Sequence, residues 1–597
     1  MTMPNRAAPN LLPRPRSLKV RPGKFTLPGR NPLAFVQAIG SSSAPNHPEG
    51  YTLTISQQGI TISFREAGGQ RAALATLRQL LREHGRRLPC LQIRDWPDFA
   101  RRGVMVDVSR GRVPKLATLL DLADKLADFK INELQLYTEH TFAFRKYKSV
   151  WRSWGALTAK DIQKLDTRCR ELGIDLVPNQ NSFGHLRYFL EDAHLKKLGE
   201  LSAPYEAETG DFLRRPTTLA PNHSGTLPFL RGLYDELLPN FSSRFFNIGG
   251  DETWDLGKGQ SRELCEAKGQ GRVYLGFLKQ IHREVSKRGK QMMFWGDIIL
   301  KYPKLIRELP KPTVALNWGY EADHPFDQES ATFAKAKIPF YVCPGTSTWQ
   351  SLIGRHDNAL ANLRAAARAG KKHGAAGFLN TDWGDGGHPQ PLAVCWPLLA
   401  AGAALAWNSK ALDEKNLLSV LNRDVFNDPA GKTAQAGFRL GFAHQKLGVK
   451  TVNETPLGTV VAAPRPADRE LFCRNGLKWF TKIPANKIHA TLKEIQKQRV
   501  ALLRAKPNSD SGKILTRELD LAARMAEQSC HFMLWQQAVA GRNSSEAPRL
   551  AQQGIRDLQK LEKDFNRLWP VRNQATPKHC TPFLRWRMDD YRRGGWS

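Results

Sequence analysis

At 597 residues the chain is long enough for several domains and a large core, and its 41% hydrophobic content is ordinary for a globular protein. The formal net charge of +33 is high, but no long Lys/Arg block, zinc finger or RNP-like motif accompanies it, and the basic residues are interspersed along helices, so no nucleic-acid role is expected. No apolar run reaches the roughly 18 residues of a membrane span, and the start "MTMPNRAAPNLLPRPRSLKV" has no apolar signal core, so no membrane contact and a cytoplasmic location are expected.

In chain order, residues 1–98 read as a small α+β domain. "GYTLTISQQGITISFRE" alternates like a hairpin, and "GQRAALATLRQLLREHG" has the period of an amphipathic helix. From residue 99 to 410 short apolar runs recur, each followed by a helical stretch. They are "RGVMVDV" (102–108), "NELQLYT" (132–138), "IDLVPNQ" (174–180), "RFFNIGG" (244–250), "QMMFWGD" (291–297), "TVALNWG" (313–319), "IPFYVCP" (338–344) and "AGFLNTD" (376–382). Eight such units predict an α/β fold, a (β/α)8 TIM barrel. No GxGxxG follows the first run, which argues against a doubly wound open sheet. Residues 411–597 carry long amphipathic patterns such as "ATLKEIQKQRVALLRA" and read as a C-terminal helical domain. The eight cysteines are scattered without CxxC or metal-like spacing, which predicts free, mostly buried thiols and no metal site.

Chemistry in such a barrel sits at the carboxyl ends of the strands. Those ends deliver Asp107 and Arg110, Glu139 and His140, Asn179, Asn181 and His185, Asp251 and Glu252, Trp295 and Asp297, Trp318, and then Asp382, Trp383, Asp385 and His388. Each alone has a plain structural reading. Carboxylates, an arginine and several tryptophans on one rim suit a sugar, whose apolar faces lie on indoles and whose hydroxyls bind charged groups.

"RGVMVDVSR" and "NIGGDE" resemble the first- and fourth-strand motifs of the family-20 glycoside hydrolases, the β-N-acetylhexosaminidases. The resemblance covers roughly residues 10 to 410. It implies exo-acting, retaining removal of terminal β-linked GlcNAc or GalNAc, with the substrate's 2-acetamido oxygen as nucleophile and no cofactor. On it, Glu252 is the general acid and base, and Asp251 orients the acetamido group. Arg110 and Asp385 bind hydroxyls, Trp295, Trp318 and Trp383 wall the sugar, and His185 with Glu139 supports Glu252. The partner implied is a glycan ending in N-acetylhexosamine. Asn247, Asn179 and Asn181 depart from the family pattern, as do Glu139 and Asp385. The tyrosine expected from the seventh strand has no clear counterpart, since Tyr341 lies within the strand and Trp349 beyond it. Two other readings stay open here: a glycosidase for sugars lacking the acetamido group, and a noncatalytic carbohydrate-binding barrel.

Overall fold

The computed structural model describes residues 8–29, 32–206, 213–462, 482–541, 545–574 and 576–593; Cys473 and the first seven residues lie outside these. The N-terminal unit is a five-stranded sheet in the order β1-β5-β3-β4-β2. Its strands are β1 (Ser17–Thr26), β2 (Val36–Gly40), β3 (Tyr51–Ser56), β4 (Gly59–Phe64) and β5 (Arg87–Asp95), and the helix Ala67–His84 packs on it. The expected hairpin is β3–β4, with Ser56 opposite Gly59. β3 alternates strictly between buried and half-buried residues, the pattern of a strand with one face on the core.

Eight parallel strands close the barrel. They are β6 (Arg101–Asp107), β7 (Glu133–Thr138), β8 (Asp175–Gln180), β11 (Phe245–Asn247), β12 (Gln291–Trp295), β13 (Thr313–Trp318), β14 (Phe340–Cys343) and β15 (Gly377–Asp382). A two-residue hairpin, β9 (Tyr205–Glu206) and β10 (Leu213–Arg214), intervenes between β8 and β11. The strands are buried almost throughout, as expected where side chains fill the barrel on one face and helices cover the other. β11 is shorter than the sequence suggests. The chain leaves the sheet at Asn247 because Gly249 and Gly250 take φ of +69° and +88°. The helical layer thins after β12, where only Asp297–Leu300 and the 3-10 turn Pro303–Glu308 follow.

Helix Trp396–Trp407, "WPLLAAGAALAW", is buried on every side. Such a helix needs neighbours all round, and its last residue joins the N-terminal core, with Trp407 Nε1 donating to Asp95 Oδ2 at 2.9 Å. Tyr51 and Lys130 also donate to that oxygen, each at 3.0 Å, tying sheet and barrel together. Beyond lie helices that include Ala485–Leu503, Asp510–Ala540, Glu546–Arg572 and Pro582–Arg593. They dock on the barrel partly through the Arg572 carbonyl, which accepts from Lys115 N–H at 2.8 Å and the Thr118 hydroxyl at 2.7 Å. The seven described cysteines are free; Cys265 is half-buried and the rest buried. No helix among the described residues is long and apolar enough to cross a membrane.

Candidate active site

The carboxyl ends of the strands surround a cavity of about 600 Å³ whose lining includes Arg110, His185, Asp251, Glu252, Trp383 and Asp385. Asp107, at the end of β6, is fully buried and organises one side. It accepts from Arg110 Nη1 at 2.9 Å, from Ser109 N–H at 2.8 Å, and from Gly384 N–H at 2.9 Å. One carboxylate thus anchors the guanidinium and the loop that carries Asp385. Arg110 is further held by Glu139 at 3.0 Å and Tyr137 OH at 3.2 Å, and it stands 4.0 Å from Asp385. Burial raises the Asp385 carboxyl to about 6, against the pull of Arg110; 28% of the side chain still faces the cavity, which tempers the desolvation.

His185 joins the two adjacent acids. Its Nε2 lies 3.3 Å from Asp251 Oδ2 and 3.4 Å from Glu252 Oε2, and its Nδ1 lies 3.9 Å from Glu139. Burial alone would lower the imidazole's pKa. Asp251 and Glu252 outweigh it, and the pKa stands well above the ordinary value. Arg110 Nη2 approaches the other ring nitrogen, Nδ1, at 3.4 Å. His185, Asp251 and Glu252 each offer an atom within 4.8 Å of the others, a spacing that a metal could use.

Glu252 has φ of +47°, unusual for a residue with a side chain, and its N–H donates to Asp297 Oδ2 at 3.1 Å. The Asp297 carboxyl is raised to about 8, first by burial and then by the nearby Asp251. Trp318 and Trp383 line the cavity, whereas Trp295 is fully buried behind it, 5.8 Å from Trp383 between ring centres. Tyr320, from the loop after β13, completes the aromatic wall. It stacks on Trp318 at 5.1 Å, and its hydroxyl accepts from Trp383 Nε1 at 2.7 Å. Sequence reasoning passed over Tyr320; its one signal was an aromatic two residues beyond a strand that ends in tryptophan. Tyr341 sits elsewhere, bound to Glu133 and Arg101 at 3.1 Å each.

Two of the asparagines that depart from the family pattern, Asn179 and Asn247, belong together. Asn247 Nδ2 and Asn179 Nδ2 both donate to Gln135 Oε1, at 3.0 and 3.1 Å, and Asn247 Oδ1 accepts from Gly249 N–H at 3.0 Å. A neutral amide cluster fills the barrel beneath the acids. His140 and His388 are buried apart from it, each pushed towards the neutral form by burial.

Residues 99–349 match the catalytic-domain model of glycosyl hydrolase family 20, and residues 33–96 match the model of that family's domain 2, together more than half of the chain. The chain belongs to glycosyl hydrolase family 20. A β-hexosaminidase of Akkermansia muciniphila is 25% identical to this family-20 chain over 293 residues, covering 44% of the chain and 58% of the relative. A lacto-N-biosidase of Bifidobacterium bifidum is 23% identical over 274 residues, covering 44% and 23%. The matches thus span less than two thirds of these relatives' own length. A chitobiase structure from Flavobacterium johnsoniae shares the fold at a TM-score of 0.58 and 19% identity, over 98% of this chain and 99% of the other.

Proposed function

We propose that the chain removes terminal β-linked N-acetylhexosamine by retaining, substrate-assisted hydrolysis. The observation that carries the reading is the shared approach of Asp251 and Glu252 to one nitrogen of His185. Neighbours bound to the same imidazole lie on one side of the cavity. They do not face each other across a sugar ring, as a nucleophile and an acid must in the two-carboxylate scheme. A substrate that brings its own nucleophile removes that need.

In this mechanism Glu252 protonates the glycosidic oxygen as the bond from C1 breaks, and the acetamido carbonyl oxygen closes on C1. Asp251 accepts the acetamido N–H and balances the positive charge of the oxazolinium. Glu252 then takes a proton from the water that opens the ring. Tyr320 is the candidate for the role of the missing seventh-strand tyrosine: it lies on the cavity wall, where its hydroxyl accepts from Trp383 and also meets Thr381. Arg110 and Asp385 bind hydroxyls, Trp318 and Trp383 wall the ring, and Trp295 supports that wall from behind. Glu139 fixes Arg110 directly and His185 at longer range.

The test is turnover of aryl β-N-acetylglucosaminide and β-N-acetylgalactosaminide beside the plain β-glucoside. Turnover is expected only for the acetamido sugars. Glu252→Gln should cost about 10²–10⁴-fold in kcat and Asp251→Asn about 10²–10³-fold. Hydrolysis of the plain glucoside would point to a protein nucleophile and overturn substrate assistance.

A further inference from the structure

We infer that the amino end of the barrel, remote from the catalytic cavity, carries a docking groove for an anionic polysaccharide, formed by Arg364, Arg368 and Lys410. The inference goes beyond the proposed hydrolase and does not depend on it. The groove has a volume of about 380 Å³ and is lined by Arg364, Arg368, Lys371, Lys372, Ser409 and Lys410. Every lining residue but the serine is a cation, and no carboxylate, aromatic or apolar side chain is among them.

The pattern begins in the helix His356–Lys372, between β14 and β15. Its arginines and lysines fall at i, i+4, i+7 and i+8, which is one face of a helix, and only alanines separate Arg364 from Arg368. All four are exposed, as is Lys410. Basic residues at a helix carboxyl end have a plain reading, since they offset the dipole. That reading covers Lys371 and Lys372. It does not cover Arg364 and Arg368, which precede the last turn, where the dipole's effect has faded. Arg364, Arg368 and Lys410 also make no ion pair among the described residues, whereas Lys371 is held by Asp98 at 2.8 Å and Lys372 by Asp327 at 2.9 Å.

Asp98, with a side chain 4% exposed, joins the two sides of the groove. One oxygen accepts from Lys371, and the other accepts from Ser409 N–H at 2.9 Å and from its hydroxyl at 2.7 Å. Burial opposes ionisation of Asp98, but Lys371, Ser409 and Arg16 outweigh it and hold the carboxyl at about 2. The tie therefore stays charged at neutral pH, and Lys410 extends from a pinned neighbour beside the helix.

Asp98 precedes β6, and the helix ends shortly before β15, so the groove lies at the amino end of the strands. The 17-residue helix separates it by about 25 Å from the end that carries the cavity. Three unmatched cations on a concave surface call for an anionic partner. Single-stranded nucleic acid also needs aromatic platforms for its bases, and a peripheral membrane site needs apolar side chains that enter the bilayer; the groove offers neither. Along the helix Arg364 and Arg368 are about 6 Å apart, close to the length of a sugar unit in an extended chain. Guanidinium forks match carboxylate or sulfate groups borne on such a chain. A polymer held there leaves the cavity at the opposite end open.

The experiment is binding of the full chain to immobilised polygalacturonate and dextran sulfate at low ionic strength, with neutral dextran as the blank. The triple variant Arg364→Gln, Arg368→Gln, Lys410→Gln is compared with Lys160→Gln, Lys164→Gln, Lys268→Gln, which removes the same charge from exposed lysines elsewhere. The first triple should lose about tenfold in affinity, the yield of three exposed ion pairs, and the second less than about twofold. Unchanged thermal unfolding verifies that both fold. If neither polymer binds, or if both triples lose equally, no groove is at work and the inference is overturned. A single-stranded oligonucleotide or a phosphatidylserine vesicle that binds tighter than both polymers, and loses as much in the first triple, overturns the polysaccharide as the partner.

Discussion

Two carboxylates on neighbouring residues, sharing one buried pocket, repel each other unless something offsets the charge. Here a single imidazole touches both. The folded pKa of His185 stands above the roughly 6.5 of an unfolded imidazole. The sign follows from linkage: the stabilisation is complete below about 6.5 and is lost as pH rises through the folded value. His185→Gln should therefore lower Tm most in mildly acidic solution. The gap to the wild type should narrow towards pH 10. A gap that is flat or widens with pH would show that His185 is neutral in the folded protein. The same variant leaves Asp251 and Glu252 without their shared proton donor, so the pH profile of kcat/KM should shift as well as its height.

At the scale of the element, the turn after β11 aims both acids into the cavity. Gly249 is its tightest point. A Cβ there would meet Asn181 Oδ1 at 2.1 Å, on a backbone already at φ +69°. Gly249→Ala should cost roughly 1–3 kcal/mol from the left-handed backbone alone, with further loss from displacing Asn181. Thermal unfolding reads the stability term. GlcNAc affinity reads whether the turn still holds Asp251 in place, and an unchanged Tm with full affinity would remove the turn from the account. Much of this turn was legible in the sequence: an apolar run broken by two glycines before two acids marks a strand end that bends sharply. The barrel was legible for a similar reason, since each short apolar run is followed by a helical period. What stayed hidden depends on distant partners. Tyr320 matters through Trp383, and Asn179 and Asn247 through Gln135; no local period encodes such pairings. The tryptophans looked alike in the sequence, and only the fold separates buried Trp295 from Trp318 and Trp383.

For the whole molecule, the strongly basic surface contrasts with a cavity where acids and cations are mixed. The chain has a formal net charge of +33. The cavity, by contrast, is lined by Asp251, Glu252 and Asp385, by Glu321 and Glu329 paired with Arg355 and His324, and by Asp297, which burial holds towards its neutral form, against Arg110, Lys301 and His185. A pocket whose unpaired carboxylates gather at Asp251 and Glu252 suits the neutral terminal N-acetylhexosamine of the proposed reaction and the cationic oxazolinium that follows. A basic exterior acts at longer range, and water and salt screen that range within about 10 Å at 0.1 M. The two fields therefore separate by ionic strength. With a neutral aryl N-acetylhexosaminide, kcat/KM should stay within about twofold between 20 and 300 mM salt. With an anionic glycan bearing the same terminal sugar it should fall about tenfold or more, the lower end of electrostatic steering. If the anionic glycan shows no greater salt dependence than the neutral one, the surface charge plays no part in substrate capture. If both fall together, the charge acts on the cavity itself, and the separation of exterior from pocket does not hold.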